Sequence, residues 1–286
     1  MDLKNYTAFL AVADKNSFSR AAEILYITQP AVSKRIALLE QDLGQPLFDR
    51  IGRKIILNEA GKALYPIAQR IKQNIQETQQ AIDDLSGEIS GHLSLVTSHH
   101  IGLRRLPKTL KKYAEQYPQV QFDIAFMDSE DACHEIEQGN YELAVVTLPL
   151  KSSKNLKLTP LWDDSLVITV SPNHVLAKQE NVTLDILAEH SAILPAVGTY
   201  TRTIIEEPII RKQGALKVVL ETNYLETIHM MVSIGLGWSA LPRTMLDKNV
   251  VEVKVDALKM HRELGTVVHR ERTLSNAAKA LIALLD

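Results

Sequence analysis

Gln29, Ser33 and Lys34 lie close together on a segment that opens Thr28-Gln29-Pro30. If that segment is a helix, its leading end presents an amide fork and a base to whatever it meets. An amide fork fits the adenine edge and lysine or arginine fits the guanine edge, so the chemistry is that of reading bases in the major groove. Arg50, Arg53 and Lys54 cluster around Gly52. On a hairpin turn they would suit phosphates or a narrow minor groove. A second group is built from hydroxyls, imidazoles and an amide: Thr97, Ser98, His99, His100, Ser129, Thr147, Thr199, Thr201 and Asn223, with Arg202 beside them. Hydroxyls and helix N-terminal N–H groups suit a carboxylate or a similar small anion.

Neither group has the spacing of an active site. Ser98 with a histidine nearby lacks the Gly-x-Ser-x-Gly elbow of a serine nucleophile. His99, His100, His134, Asp128 and Glu130 could be drawn as a metal cluster. Adjacent histidines at a strand end are poor shared ligands, however, and no His-x-x-x-His spacing supports one. The single cysteine, Cys133, excludes an intramolecular disulfide and any multi-cysteine metal site. These residues describe a binding protein without catalytic residues, metal or cofactor.

The elements that would position the first group are short helices and a hairpin. Leu3, Tyr6, Leu10 and Ala13 recur at helical spacing, and Ser17 is placed to cap a short helix over Ser19–Leu25. Thr28 is placed to cap the next helix, with Pro30 in its first turn, Val32, Ile36 and Leu39 on one face, and Gly44 as its stop. Leu47-Phe48 and Ile55-Ile56-Leu57 flank the turn Asp49–Lys54. Together these make a winged helix-turn-helix. Asn58 then opens a long helix towards Leu85, with a stripe of Leu64, Ile67, Ile71, Ile75, Thr78, Ile82 and Leu85 and a bend expected at Pro66. So narrow a stripe suits a dimer seam through Leu64, Ile67, Ile71, Ile75 and Ile82. The alternative is a helix folded back on its own domain. Ser86-Gly87 and Ser90-Gly91 supply a hinge.

After the hinge the pattern becomes strand–helix alternation. Strands are expected at Leu93–Leu95, Val120–Phe126, Leu143–Thr147, Ser165–Ser171, Lys217–Glu221 and Leu264–His269. Helices are expected at Leu103–Tyr117, Glu130–Gln138, Thr201–Lys212, Leu225–Ile234 and Leu274–Leu285. This implies two α/β lobes with a parallel sheet. Ligands of such sheets sit beyond the carboxyl ends of strands, which is where the second group falls.

Charge follows the same division. The 286 residues hold 32 bases and 34 acids. Residues 1–57 carry +2 and the remainder −4, and five of the first segment's eight bases fall between Lys34 and Lys54. No apolar run approaches the ~20 residues of a membrane span, and the opening residues lack a signal-peptide core. A soluble, cytoplasmic protein is expected.

The stretch Phe18-Ser19-Arg20-Ala21-Ala22, then Thr28 through Glu40, Leu43-Gly44, Leu47-Phe48-Asp49-Arg50 and Leu57-Asn58-Glu59-Ala60-Gly61 resembles the signature of LysR-type transcriptional regulators. Two departures are mild: Thr28 stands where the family usually has Ser, and Asn58 where it usually has Thr. Pro107, Gly139–Val145 and Gly235–Pro242 resemble that family's effector-binding domain, and His100 stands where many members have a small hydroxyl residue. The resemblance implies a fold of α/β class in which a winged helix-turn-helix (1–57) is joined by a dimerisation helix and hinge (58–90) to a two-lobed, periplasmic-binding-protein-like domain (91–286). It implies DNA contacts from Thr28, Gln29, Pro30, Ser33, Lys34 and Arg35 together with the wing bases. The implied partners are double-stranded operator DNA, a small anionic or polar effector, copies of the chain forming homodimers and homotetramers, and RNA polymerase. His99 and His100 could instead cap the helix that follows them. A solute receptor without a DNA role would account for residues 91–286 but not for the first 57.

Overall fold

The computed structural model describes residues 2–52, 54–83, 87–151, 153–213, 216–256 and 258–285, with backbone alone for Arg50, Ile51, Gln76, Glu77, residues 79–81, Asp83 and residues 211–213. Arg53, Leu85 and Ser86 lie outside the described residues. The chain divides into two compact units, 1–86 and 87–286.

In the first unit, α1 (Leu3–Lys15), α2 (Phe18–Ile24) and α3 (Gln29–Leu43) precede a hairpin of β1 (Phe48–Ile51) and β2 (Lys54–Leu57), and α4 (Glu59–Asp83) follows. Tyr6, Leu10, Val32, Ile36 and Leu39 of the expected stripes are buried in one core, joined by Phe9, Val12, Ala21 and Ala68, while Leu3 is left 49% exposed. Ser17 caps α2 by accepting from the Arg20 N–H, and Gly44 ends α3 in the left-handed conformation at φ 70°. Thr28 occupies the cap position of α3, but its side chain makes no capping bond. The wing is fixed by side chains on its flanks. The Leu47 N–H donates to the Glu40 carboxylate at 2.8 Å, and Asn58 donates to the Pro46 carbonyl while accepting from the Gly61 N–H. On α4, the Tyr65 hydroxyl donates to Asp14 at 2.5 Å, tying this helix to α1. Helix α4 runs through Pro66.

The second unit begins with β3 (Gly91–Thr97), α5 (His99–Arg104), α6 (Leu106–Gln116), β4 (Val120–Phe126), α7 (Ser129–Glu137) and β5 (Leu143–Thr147). Then come β6 (Leu156–Val170), α8 (Leu184–Glu189), β7 (Ala192–Leu194), α9 (Tyr200–Gln213), β8 (Val218–Glu221) and α10 (Leu225–Ser233). The chain closes with β9 (Ser239–Pro242), β10 (Val251–Glu252), β11 (Met260–His269) and α11 (Asn276–Leu285). Strands β4, β3 and β5 pair in parallel, as the alternation predicts. The rest of this sheet is antiparallel: β11 lies between β5 and β6, and β6 also pairs with β9 and β10. Strand β5 is buried on both faces, with Leu143 and Val145 in one apolar cluster and Ala144 and Val146 in another. The clusters centre on Leu93 and Tyr113, on Val96 and Ile136, on Ile168 and Trp238, and on Ile193 and Ile228.

Two expectations change. The helix expected over Leu103–Tyr117 is two helices with a break at Arg105, because Pro107 in the first turn of α6 cannot donate into a preceding turn. The strand expected at Ser165–Ser171 begins nine residues earlier, at Leu156. Pro160 and the run Trp162-Asp163-Asp164 hide it by breaking the alternation. This longer strand matters, because β6 and β11 run together from one lobe into the other. Their register slips at Leu264/Gly265, and a Cβ on Gly265 would lie 2.2 Å from the Thr159 carbonyl oxygen. Among the described residues no helix is long and apolar enough to cross a membrane.

Gly61 carries the tightest approach in the first unit. A Cβ there would lie 2.2 Å from the Leu47 carbonyl oxygen and 2.8 Å from Leu57. Gly61→Ala is expected to destabilise the first unit by about 1–3 kcal/mol. Urea unfolding of the full chain checks this, and an unchanged transition would contradict the packing.

Candidate functional site

The first unit presents the leading end of α3. Thr28, Gln29, Pro30 and Lys34 are exposed, while Ser33 and Arg35 are half-buried. Val32, Ile36 and Leu39 are buried beneath them, so helical period alone sorts the face. The Gln29 amide donates to the Ser33 hydroxyl at 3.1 Å, which holds the fork at the start of the helix. Lys54 is exposed at the start of β2. The backbone of Arg50 lies opposite Ile55 in the wing. Tyr26, which the spacing argument passed over, is 96% exposed in the turn between α2 and α3, with φ 53°. A bulky residue in the left-handed region is an outlier, and its reason here is the tight α2–α3 turn.

The stripe on α4 divides into two faces. Leu64 and Ile71 pack against the unit's own core. Ile67, Ile75 and Ile82 are 45%, 43% and 61% exposed. The fold-back reading accounts for Leu64 and Ile71, while Ile67, Ile75 and Ile82 form an exposed apolar face on the same helix.

In the second unit a cavity of about 110 Å³ opens between the lobes, with room for on the order of ten water-sized groups. Ser98, His99, His100, Ser129, Thr147, Thr199, Thr201 and Asn223 all line it. They come from β3–α5, α7, β5, the start of α9 and the loop after β8, so the strand-end rule brings them together from five stretches of chain. Thr97 and Arg202 do not line it. Thr97 is fully buried and donates to the Val145 carbonyl. Arg202 is spent on Glu206 and Glu221 and on the Pro195 carbonyl. His134 is exposed on α7 and away from the lining. Among the described residues no group of three His, Cys, Asp or Glu side chains could hold a metal.

Arg262 on β11 is the lining residue that spacing could not reveal. It is 4% exposed and donates to Asp164, the residue opposite it on β6, at 2.9 Å. It also donates to Thr201 at 2.9 Å and bonds His100 Nε2 at 3.0 Å. Arginine has no acceptor, so His100 Nε2 accepts and its proton sits on Nδ1. Burial pushes the His100 imidazole well below its usual range, and the Arg262, Arg105 and Arg104 charges and His99 act in the same direction. Asp128 and Glu130 also line the cavity. Asp128 accepts from Asn223 at 2.5 Å, and Glu130 accepts from the Tyr200 N–H across the lobes. Burial pushes the Glu130 carboxyl up, the Tyr200 N–H and its own N–H pull it back, and Asp128 and Asp131 push it further up. Arg104–Glu226 at 3.0 Å and the His99–Tyr224 ring contact also link the lobes.

A winged helix-turn-helix followed by a two-lobed domain, with a partly open cavity between the lobes, is the architecture of a transcriptional regulator with an effector-binding domain. The family models for the bacterial lysR-family regulatory helix-turn-helix and for the LysR substrate binding domain match residues 3–62 and 86–286. The chain belongs to the LysR family of transcriptional regulators, with a DNA-binding and an effector-binding domain. A probable RuBisCO transcriptional regulator of Synechocystis sp. is 31% identical over 284 residues, covering 95% of this chain and 82% of that protein. Full-length CbnR complexed with its target DNA superposes with a TM-score of 0.72 at 16% identity, covering 100% of this chain and 99% of that one. The effector binding domain of QuiR in complex with shikimate gives 0.61 at 18% identity, covering 68% and 95%. The helix-turn-helix match sets aside a solute receptor without a DNA-binding domain.

His100 makes the site's pH response testable. It is neutral when folded and gains a proton when unfolded below about pH 6.5, so stability falls as pH drops below that value and is fully present above it. The loss is expected to reach about 1.4 kcal/mol per pH unit. His100→Asn should flatten the slope by that amount in denaturant titrations between pH 7 and 5. Parallel slopes for the two proteins would contradict the neutral, Arg262-bonded imidazole.

Proposed function

We propose that the chain reads operator DNA as a homodimer through α3 and the wing, and that a small effector bound between the lobes of the second unit changes that binding. What carries the effector reading is the convergence of eight side chains from five stretches of chain on one cavity between the lobes. In this reading Gln29, Ser33 and Lys34 meet base edges, with Pro30 setting the close approach. Thr28, Arg35, Arg50, Arg53 and Lys54 meet phosphates or the minor groove. The QuiR complex with shikimate supports a small effector, and the CbnR complex supports DNA as the partner.

The uncovered apolar residues Ile67, Ile75 and Ile82 of α4 pair two subunits, whose two-fold axis matches a dyad-symmetric site with half-sites one helical turn or a multiple of it apart. Dimers pair further into tetramers, and RNA polymerase is the downstream partner, in the cytoplasm. Closure of the lobes couples to DNA only where it favours one assembly over another.

Gln29→Ala is expected to cost about 1–3 kcal/mol on cognate DNA and much less on scrambled DNA. Lys54→Ala is expected to weaken both equally and to lower the salt slope by about one. Fluorescence titrations at two salt concentrations check both, and equal losses on the two DNAs for Gln29→Ala would remove its base-reading role.

Ile75→Asp is expected to yield a folded monomer with weakened operator binding, whereas Ile71→Asp lowers the melting temperature because it burdens the unit's own core. Sedimentation and thermal melting separate the two. An intact Ile75→Asp dimer would reject the seam.

A further inference from the structure

The cavity's charges point to a more specific ligand than an anion. Arg262, the cation in the lining, is already opposed by Asp164, which a second arginine, Arg105, also approaches at 3.5 Å. Asp128 and Glu130 have no such partner: among the described residues neither forms an ion pair. The nearby charges that shift Glu130 are both carboxylates, Asp128 and Asp131. Their present partners, the Asn223 amide and the Tyr200 N–H, are neutral. Each carboxylate has acceptor capacity beyond one such bond. The Tyr200 N–H belongs to the start of α9, where a ligand's anionic group would be stabilised, and the chain's own Glu130 is bonded there instead.

The same cavity offers donors with nothing to bind. Ser98 Oγ is buried without a hydrogen-bond partner. The Thr201 hydroxyl accepts from Arg262, which leaves its own proton to donate. Arg262 has five N–H groups; bonds to Asp164, Thr201 and His100 leave one on Nη1 uncommitted. A lone carboxylate would satisfy these donors but leave Asp128 and Glu130 facing a like charge. A lone amine would satisfy the acids but offer no acceptor to the Thr201 proton or the uncommitted Arg262 N–H.

We propose that the effector is a small zwitterion of the amino-acid type, its ammonium held by Asp128 and Glu130 and its carboxylate by Ser98, Thr201 and the free N–H of Arg262. This rests on the reading of the interlobe cavity as the effector site, and it names the chemistry of that ligand. The cavity's 110 Å³ suits a molecule on the order of ten non-hydrogen atoms.

The test is thermal melting of the full chain with a pool of α-amino acids and with the matched pool of α-hydroxy acids, which keep the carboxylate and side chain and lose the amine. The expected result is a rise of several degrees with a member of the amino-acid pool and none with its hydroxy-acid counterpart. Asp128→Asn and Glu130→Gln, each close to isosteric, should each weaken the amino acid at least tenfold by calorimetric titration. Ser98→Ala should weaken it as well. If one variant fails to fold, the other two still decide. Hydroxy acids that bind as well as amino acids, and keep their affinity in Asp128→Asn but lose it in Ser98→Ala, would overturn the zwitterion while leaving the cavity as the effector site. An amino acid whose affinity is unchanged in all three variants would overturn the cavity reading itself. A flat response to both pools would overturn the zwitterion.

Discussion

The buried pair Arg262–Asp164 is the constraint around which the second unit is arranged. The two residues face one another on β11 and β6, the strands that run between the lobes, and each is 3–4% exposed. Two charges taken out of water are tolerated only with good geometry and with their remaining hydrogen bonds filled, and removing one partner of such a pair typically costs about 3–5 kcal/mol. Those remaining bonds recruit the site. Thr201 comes from the start of α9, His100 from α5, and Arg105 from the break between α5 and α6. The network thus sets the position of two cavity walls, at His100 and Thr201, and the tautomer of one imidazole. A ligand that bonds Arg262 or moves Thr201 acts directly on the junction between the lobes.

How much of this is legible in the sequence depends on whether the signal is local. In the first unit, caps, helical period and turn residues lie within a few positions of the side chains they place, so α1 to α3, the wing and the placing of Gln29, Ser33 and Lys34 at the leading end of α3 follow from spacing. In the second unit, eight lining residues follow from one rule, that functional side chains stand at strand ends. The same rule overreaches at Thr97, which points into the sheet and bonds Val145, and at Arg202, whose charge two glutamates consume. Arg262 escapes it altogether. It stands mid-sequence in a strand whose pairing with β6 spans about a hundred residues, and nothing in its neighbours marks it as buried. Asp128 and Glu130 are visible in the sequence only as parts of a metal cluster that spacing already argues against, and nothing local marks them as lining a cavity, where the fold places both.

The α4 stripe teaches a similar point about periodicity. A spacing of three and four says that residues share one side of a helix, without saying what covers them. Here that side is wide enough to serve two surfaces, with Leu64 and Ile71 inward and Ile67, Ile75 and Ile82 outward. The charge division fits the same economy. Residues 1–57 carry a net of only +2, but five of their eight bases fall between Lys34 and Lys54, so the positive charge gathers in the segment proposed to meet DNA and not in the chain's total.

In the proposed function, occupancy of the interlobe cavity alters how the first unit engages its operator. The most direct measurement is footprinting of the full chain on the DNA flanking its own coding sequence, with and without the compound that raises its melting temperature. The expected result is a dyad-symmetric protected region whose extent or internal cleavage pattern changes when the compound is added, and a Ser98→Ala protein whose footprint persists but no longer responds. Identical footprints in the presence and absence of a compound shown to bind the cavity would contradict it.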